Sequence, residues 1–304
     1  MRRAATLLVA FTLCASIALP SVAIASPRTS LAPSEPDARA PALTSFEGLG
    51  AWIDIYDPWA FDHPAATARR ARLRGVQTLF VETSNYSRDF AVYQPQAMAR
   101  LLRAAHVRGM DVVAWYLPGF YNVKYDFRRS MAAIRFRLNG QRFDGFGLDI
   151  EHSGVTPVSK RSDRLVAISR RLDANTRPNY PLSAIIPSPR GIQLAGGYWP
   201  DFPYARMAPY YDVWQPMTYY TYRVKGYRDV YDYTRLNTQI LRDETGDPSL
   251  PIHQIGGIAN RSSGRETAAF VDALIDDGLI GGSIYDLGLT GPEDWAELKR
   301  LATP

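Results

Sequence analysis

The sequence predicts an α/β fold, a single (β/α)8 barrel, and three observations predict it. From Gly48 onward, short β-rich runs alternate with longer helical stretches, a rhythm that calls for a parallel sheet with helices outside it. The strand runs number eight, and the last lies near the C-terminus, as expected for a sheet that closes on itself. The alternating stretch is about 260 residues long, the usual size of one such barrel. A doubly wound open sheet is the alternative, but it normally shows fewer strands and a glycine-rich phosphate turn that this chain lacks.

Ahead of the alternation, Arg2 and Arg3 precede an apolar run from Ala4 to Leu19 and a small-x-small ending at Ala23 to Ala25. That order predicts a secretory signal peptide over residues 1–25, cut before Ser26, with an apolar run short for a membrane span. The mature protein is therefore expected to be secreted, without a stable membrane anchor. Leu13 precedes Cys14 where a lipid-attachment site wants a small residue, which argues against a lipoprotein. Residues 26–45, rich in Pro, Ala and Ser without periodicity, predict a flexible lead-in, and residues 46–304 the barrel.

The first unit pairs the strand run GLGAWIDIYD with the helical HPAATARRARLRG, whose last glycine is a common helix stop. The second is VQTLFVET with PQAMARLLRAAHVRG, and the third MDVVAWYLPG with VKYDFRRSMAAIRFRLNG, in which Tyr125, Ile134 and Leu138 contribute to an apolar stripe. The fourth is FDGFGLDIEHSG, followed by SKRSDRLVAISRRLDANT. PLSAIIPS, DVWQPMTYY, PIHQIGGIA and GGSIYDLG supply strands five to eight, with helices around Arg228–Glu244, Gly264–Asp277 and Pro292–Leu301. The fifth connection reads as long and loop-like.

Composition removes several chemistries. Cys14 is the only cysteine, so the mature chain has none for a disulfide, a metal or nucleophilic attack. Loss of Arg2 and Arg3 leaves 33 basic against 30 acidic residues, a formal charge of +3, mild for nucleic-acid binding. Arg69, Arg70, Arg72 and Arg74 fall at helical spacing and read as a solvated face, so no nucleic-acid partner is expected. The four histidines are scattered and none accompanies a nucleophile elbow, and no spaced calcium-ligand loop occurs. No cofactor or metal is expected, and the protein is expected to act as a monomer.

Barrel active sites lie at the C-terminal ends of the strands. The polar and aromatic residues falling there are Asp54 and Tyr56 with Asp57 (strand one), Glu82 with Tyr86 (strand two), and Trp115 and Tyr116 (strand three). Strand four adds Asp149 and Glu151, strand six Gln215, Met217, Tyr219 and Tyr220, and strand eight Tyr285 and Asp286. The strand-four stretch is the sharpest signal. Phe146, Leu148 and Ile150 alternate with Gly145, Gly147, Asp149 and Glu151, which sends two carboxylates out of one face above two glycines that leave room. At about 3.3 Å rise per residue the two acids sit roughly 6.5 Å apart at the backbone, close enough to perturb each other's proton affinity. The bland alternative is a structural ion network with Arg190 or Arg223, but burying like charges is costly unless they are used. The tyrosine-rich YYTYRVKGYRDVYDY and the loop GGYWPDFPY, with Trp199, are candidate sugar-stacking walls; Trp214 and Phe80 read as core.

At FDGFGLDIE the chain resembles the chitinase-like family 18 glycoside hydrolases, whose fourth strand carries DGxDxDxE. Asp144, Gly145, Asp149 and Glu151 fit that pattern in register, and Gly147 stands where the middle Asp belongs. Met217, Thr218 and Tyr219 reproduce the family's strand-six Met-x-Tyr, with Tyr220 replacing the following Asp. The resemblance implies a secreted hydrolase acting on a polysaccharide or peptidoglycan glycan. In it Glu151 is the general acid/base, Asp149 orients a reacting substrate group, and Tyr219 hydrogen-bonds the substrate's acetamido oxygen, which acts as nucleophile. Strand three lacks the family's Ser-x-Gly-Gly and strand eight its tryptophan, for which Tyr285 is the substitute. A weaker resemblance, through Asp54 in GAWIDIYD and Asp149 and Glu151 in LDIE, is to the family 25 muramidases and implies peptidoglycan. The competing class is a non-catalytic glycan-binding barrel.

Overall fold

The eight expected strands form: β1 (Gly48–Ile53), β2 (Thr78–Asn85), β3 (Asp111–Leu117), β4 (Gly145–Asp149), β5 (Leu182–Pro187), β6 (Val213–Met217), β7 (His253–Ile258) and β8 (Gly281–Tyr285). All pair in parallel, in chain order, and β8 returns to β1, so the sheet closes into a barrel and the open-sheet alternative is excluded. This computed structural model describes residues 43–194 and 197–302; the expected signal peptide and most of the lead-in lie outside the described residues. No helix among the described residues is long and apolar enough to cross a membrane.

Helices cover the outside: α1 (Pro58–Asp62), α2 (Pro64–Leu73), α3 (Pro95–His106), α4 (Val123–Ile134), α5 (Val158–Asn175), α6 (Pro189–Gln193), α7 (Tyr204–Met207), α8 (Tyr227–Thr245), α9 (Gly264–Asp276) and α10 (Pro292–Leu298). Their ends follow local chemistry. Ser263 and Glu266 form a reciprocal capping box on α9, Asn122 caps α4, and Gly246 ends α8 at φ +73°, a left-handed turn that glycine adopts without a Cβ penalty. The first expected helical segment, His63–Gly75, forms as α2 with Pro64 at its start, and a short extra helix, α1, precedes it, started by Pro58 and capped by Asp57. The third, expected to run to Gly140, stops at Ile134; Asn139 and Gly140 both take positive φ and make a tight turn instead. The fifth connection is as long as expected, but carries α6, α7 and a 3-10 turn at Ala208–Tyr210.

Strand alternation divides the core in two. Leu79, Val81, Val112, Ala114, Phe146, Leu148, Ala184 and Ile186 face the helices, while Trp52, Phe80, Val113, Ile185, Val213 and Ile255 fill the barrel. Phe46, on the 3-10 turn Thr44–Phe46, closes the end where the strands begin. There the buried His253 bonds the Phe46 carbonyl through Nδ1 (2.8 Å) and the Ser283 hydroxyl through Nε2 (3.1 Å), and Ser283 also accepts from the Trp52 indole (2.8 Å). One donor and one acceptor make this a neutral imidazole, and burial pushes its pKa down to about 4. The space above the two β4 glycines is not spare. A Cβ on Gly145 would lie 3.0 Å from the Phe46 ring, and one on Gly147 2.8 Å from Ile185 Cδ1 and 2.9 Å from Ser183 Oγ.

Candidate active site

β4 behaves as its pattern dictates. Phe146, Leu148 and Ile150 pack outward, so Asp149 and, just past the strand, Glu151 face the barrel mouth. Asp149 is 6% exposed and its Oδ1 has no hydrogen-bond partner. Burial first, then the negative charges of Glu151 and Glu82, hold its carboxyl well above the usual carboxylate range. Glu151 opens into the cleft on one side and is surrounded by protein on the others, and burial pushes it up as well. Neither Arg190 nor Arg223 pairs with either acid; among the described residues no ion pair involves Asp149 or Glu151. The structural ion network is therefore not what holds these carboxylates.

A second acidic pair comes from β1 and β2. Glu82, 2% exposed, accepts from the Ile55 N–H (3.1 Å) and the Asn85 amide (2.9 Å). Burial outweighs those two donors and pushes its pKa up to about 7. Asp54 accepts from the Tyr56 N–H (2.7 Å) and from the Tyr285 hydroxyl (2.5 Å), which ties together the C-terminal ends of the neighbouring strands β1 and β8. Asn85 also reaches the Tyr56 hydroxyl (3.0 Å) and is itself held by Ser87.

Tyr219 completes the constellation. It sits at φ +38°, an uncommon conformation for a bulky residue, at the point where β6 turns into the 3-10 helix Tyr220–Tyr222. Its ring lies in the cleft, and burial with the charges of Glu151 and Asp149 raises its hydroxyl pKa, so it is present as a neutral phenol.

The cleft has two lobes. Asp54, Glu82, Trp115, Asp149 and Tyr285 line an acidic lobe of about 420 Å³, bordered by the exposed Tyr86. Ser188, Tyr198, Tyr222 and Arg223 line the other, of about 440 Å³. Glu151, Met217 and Tyr219 belong to both, which puts Glu151 where the lobes meet. A carboxylic acid at such a junction can give a proton to an atom that bridges two groups, one seated in each lobe. Among the described residues no group of three or more His, Cys, Asp or Glu is arranged to hold a metal ion.

Four expected site residues lie elsewhere. Tyr116 is fully buried on the helix side of β3, where its hydroxyl donates to Asp126 (2.7 Å). Tyr220 is likewise buried against α9, hydrogen-bonded with Ser262 (2.8 Å). Gln215 points into the barrel but below the cleft, accepting from Ser183 (2.7 Å). Asp286 accepts from the Leu289 N–H (3.0 Å) and shapes the turn after β8 without lining either lobe. Asp144, the first acid of the strand-four pattern, sits at the opposite end of the barrel, bonded to the Val112 N–H and His106, both at 2.9 Å. Of the candidate wall GGYWPDFPY, Trp199 is buried under the Arg161 guanidinium, while its neighbour Tyr198 faces the cleft and donates to the Glu151 carbonyl (2.6 Å). The tyrosine-rich stretch divides: Tyr219 and Tyr222 face the cleft, whereas Tyr227 and Tyr231 reach Asp272 and Asp276 on α9. Asn85 is absent from the sequence-based expectations; Tyr198 and Tyr222 enter them only as members of the two candidate walls, and Arg223 only within the tyrosine-rich one and as a possible ion partner. All four lie in loops or at a strand end, where periodicity gives no direction.

No protein-family model matches the chain, and neither does any curated protein. Solved structures do match. An endo-β-1,4-mannanase from Thermotoga petrophila superimposes with a TM-score of 0.64 at 9% identity, over 85% of this chain and 76% of that one. The spore cortex-lytic enzyme SleL of Bacillus cereus gives 0.62 at 12% identity, over 84% and 74%. A chitinase from Bacteroides thetaiotaomicron gives 0.61 at 11% identity, over 84% and 95%. The chain thus shares its barrel with glycan-hydrolysing enzymes, and at these identities the likeness is one of fold.

Proposed function

We propose that the protein is a secreted glycoside hydrolase that cleaves a polysaccharide or cell-wall glycan, with Glu151 as general acid/base. The observation that carries this reading is the Asp149–Glu151 pair: two carboxyl groups at the end of β4 facing the mouth, raised in proton affinity, without an ion-pair partner among the described residues, with Glu151 at the junction of two lobes. Structural kinship with a mannanase, a chitinase and a cortex-lytic enzyme agrees with it.

In the substrate-assisted route, Glu151 gives its proton to the bridging glycosidic oxygen as the C1–O bond breaks. The acetamido oxygen of the sugar on the other side of that bond forms a new bond to C1. Asp149 holds the acetamido N–H and Tyr219 the acetamido oxygen. Water then attacks C1, its proton passes to Glu151, and the ring reopens to the acetamide. Asp149 suits this role because its Oδ1 lacks a protein partner. Hydrolysis is expected on oligosaccharides N-acetylated at the cleavage point and absent on their de-acetylated counterparts. Comparable release of reducing ends from both would overturn the substrate-assisted route and leave direct attack by a carboxylate.

One observation favours a second reading, a glycan-binding barrel without catalysis. Gly147 stands where the resemblance places an acid, and Ile185 and Ser183 occupy the room that acid would need. Saturable glycan binding without product release would favour it.

A further inference from the structure

The two lobes differ in charge. Asp54, Glu82 and Asp149 gather in one, whereas the other holds Arg223 as its charged residue besides the shared Glu151. Among the described residues the Arg223 guanidinium makes no ion pair and no hydrogen bond, unlike Arg206, Arg235 and Arg300, each paired with an aspartate. It does not neutralise Glu151, whose raised proton affinity traces to burial.

Its position is fixed from the backbone. The Arg223 N–H donates to the Tyr220 carbonyl (2.8 Å), ending the 3-10 helix that follows Tyr219. Its Nη2 would lie 3.6 Å from a Cβ at Gly191, so the guanidinium rests over bare backbone at the lobe wall. Beside it the exposed Tyr222 ring carries the Arg261 guanidinium 5.1 Å from its centroid, adding positive charge at the rim, and Tyr198 supplies a second exposed aromatic. A guanidinium with its donors free, in one lobe with two exposed aromatic side chains, is an arrangement that takes a sugar carboxylate. An anion in the other lobe would meet Asp54, Glu82 and Asp149 instead.

We propose that the Arg223 lobe binds a sugar bearing a carboxylate, so that the substrate is an acidic glycan with its charged sugar on the Arg223 side of Glu151 and a neutral sugar over the acidic lobe. This deepens the glycan-hydrolase reading and rests on it. Lactyl-ether sugars and uronic acids share this chemistry, and the test separates them. Binding to the Glu151→Gln protein is measured by calorimetry for two ligand series, peptide-free peptidoglycan oligosaccharides and hyaluronan oligosaccharides, each beside its carboxyl-reduced twin. The acid form of at least one series is expected to bind about tenfold more tightly than its twin, and Arg223→Gln in the same background to erase that gap. The series that shows the gap identifies the source of the carboxylate. Equal affinity of the twins in both series, a gap that survives Arg223→Gln, or no binding of either acid form overturns the proposal. The wild-type protein is assayed for hydrolysis of the same oligosaccharides and of neutral chitin oligosaccharides. Cleavage of the neutral substrates with no acid preference would sink the acidic-substrate assignment alone, and preference without cleavage would sink the hydrolase reading alone.

Discussion

Asp149 Oδ1 is a buried carboxylate oxygen without a partner, and a group left so is either a defect or a tool. Glu82 acts on it through charge, since it is among the causes that raise Asp149. A general acid works protonated, so activity is expected to fall as pH rises through the raised Asp149–Glu151 pair. Glu82→Gln keeps an acceptor for the Ile55 N–H but removes the charge, which eases ionisation of the pair. The alkaline limb of kcat/KM should therefore move to lower pH; an unmoved limb would show that Glu82 does not act on the pair. At this scale Asp149 and Glu151 were legible because their outward neighbours are all apolar. Tyr116 differs from its expected place because it follows Trp115, which faces the mouth, and successive strand residues point to opposite faces; Tyr220 differs because the chain leaves β6 and turns at Tyr219 into a 3-10 helix that carries the next ring outward.

β4 and β5 explain why the strand-four pattern breaks at Gly147. The two strands pair Gly147 with Ser183 and Asp149 with Ile185, and the Ile185 side chain lies over the glycine. Gly147→Asp would bring a Cβ to 2.8 Å from Ile185 Cδ1 and bury a further acid beside Asp149. The expected cost is about 1–3 kcal/mol or more, measured by chemical denaturation. Ile185→Val removes the clashing atom, so the double variant should recover part of that loss; strictly additive costs would show that Ile185 does not fill the position. Element existence and order were legible, since each strand run carries its own apolar period. Boundaries are less so, because the α4 stop and the extra helix α1 depend on turn and proline geometry rather than on apolar period.

Across the whole molecule, parallel closure gathers acids from β1, β2 and β4 with Tyr285 of β8 at one end, while Phe46 and His253 seal the other. That convergence was readable once eight strands were counted, because strand order fixes which ends meet. The division into an acidic and a cationic lobe was not, since Tyr198 and Arg223 reach the cleft from connections without periodicity. In the proposed reaction Glu151, at the junction of the lobes, delivers the proton that breaks the glycosidic bond. The most direct measurement is the rate of reducing-end release from N-acetylated oligosaccharides by the wild type and by Glu151→Gln, with folding checked by thermal unfolding. The expected result is an unchanged fold, retained glycan binding and a loss of roughly 10²–10⁴-fold in rate. A folded Glu151→Gln protein that cleaves at the wild-type rate would contradict it.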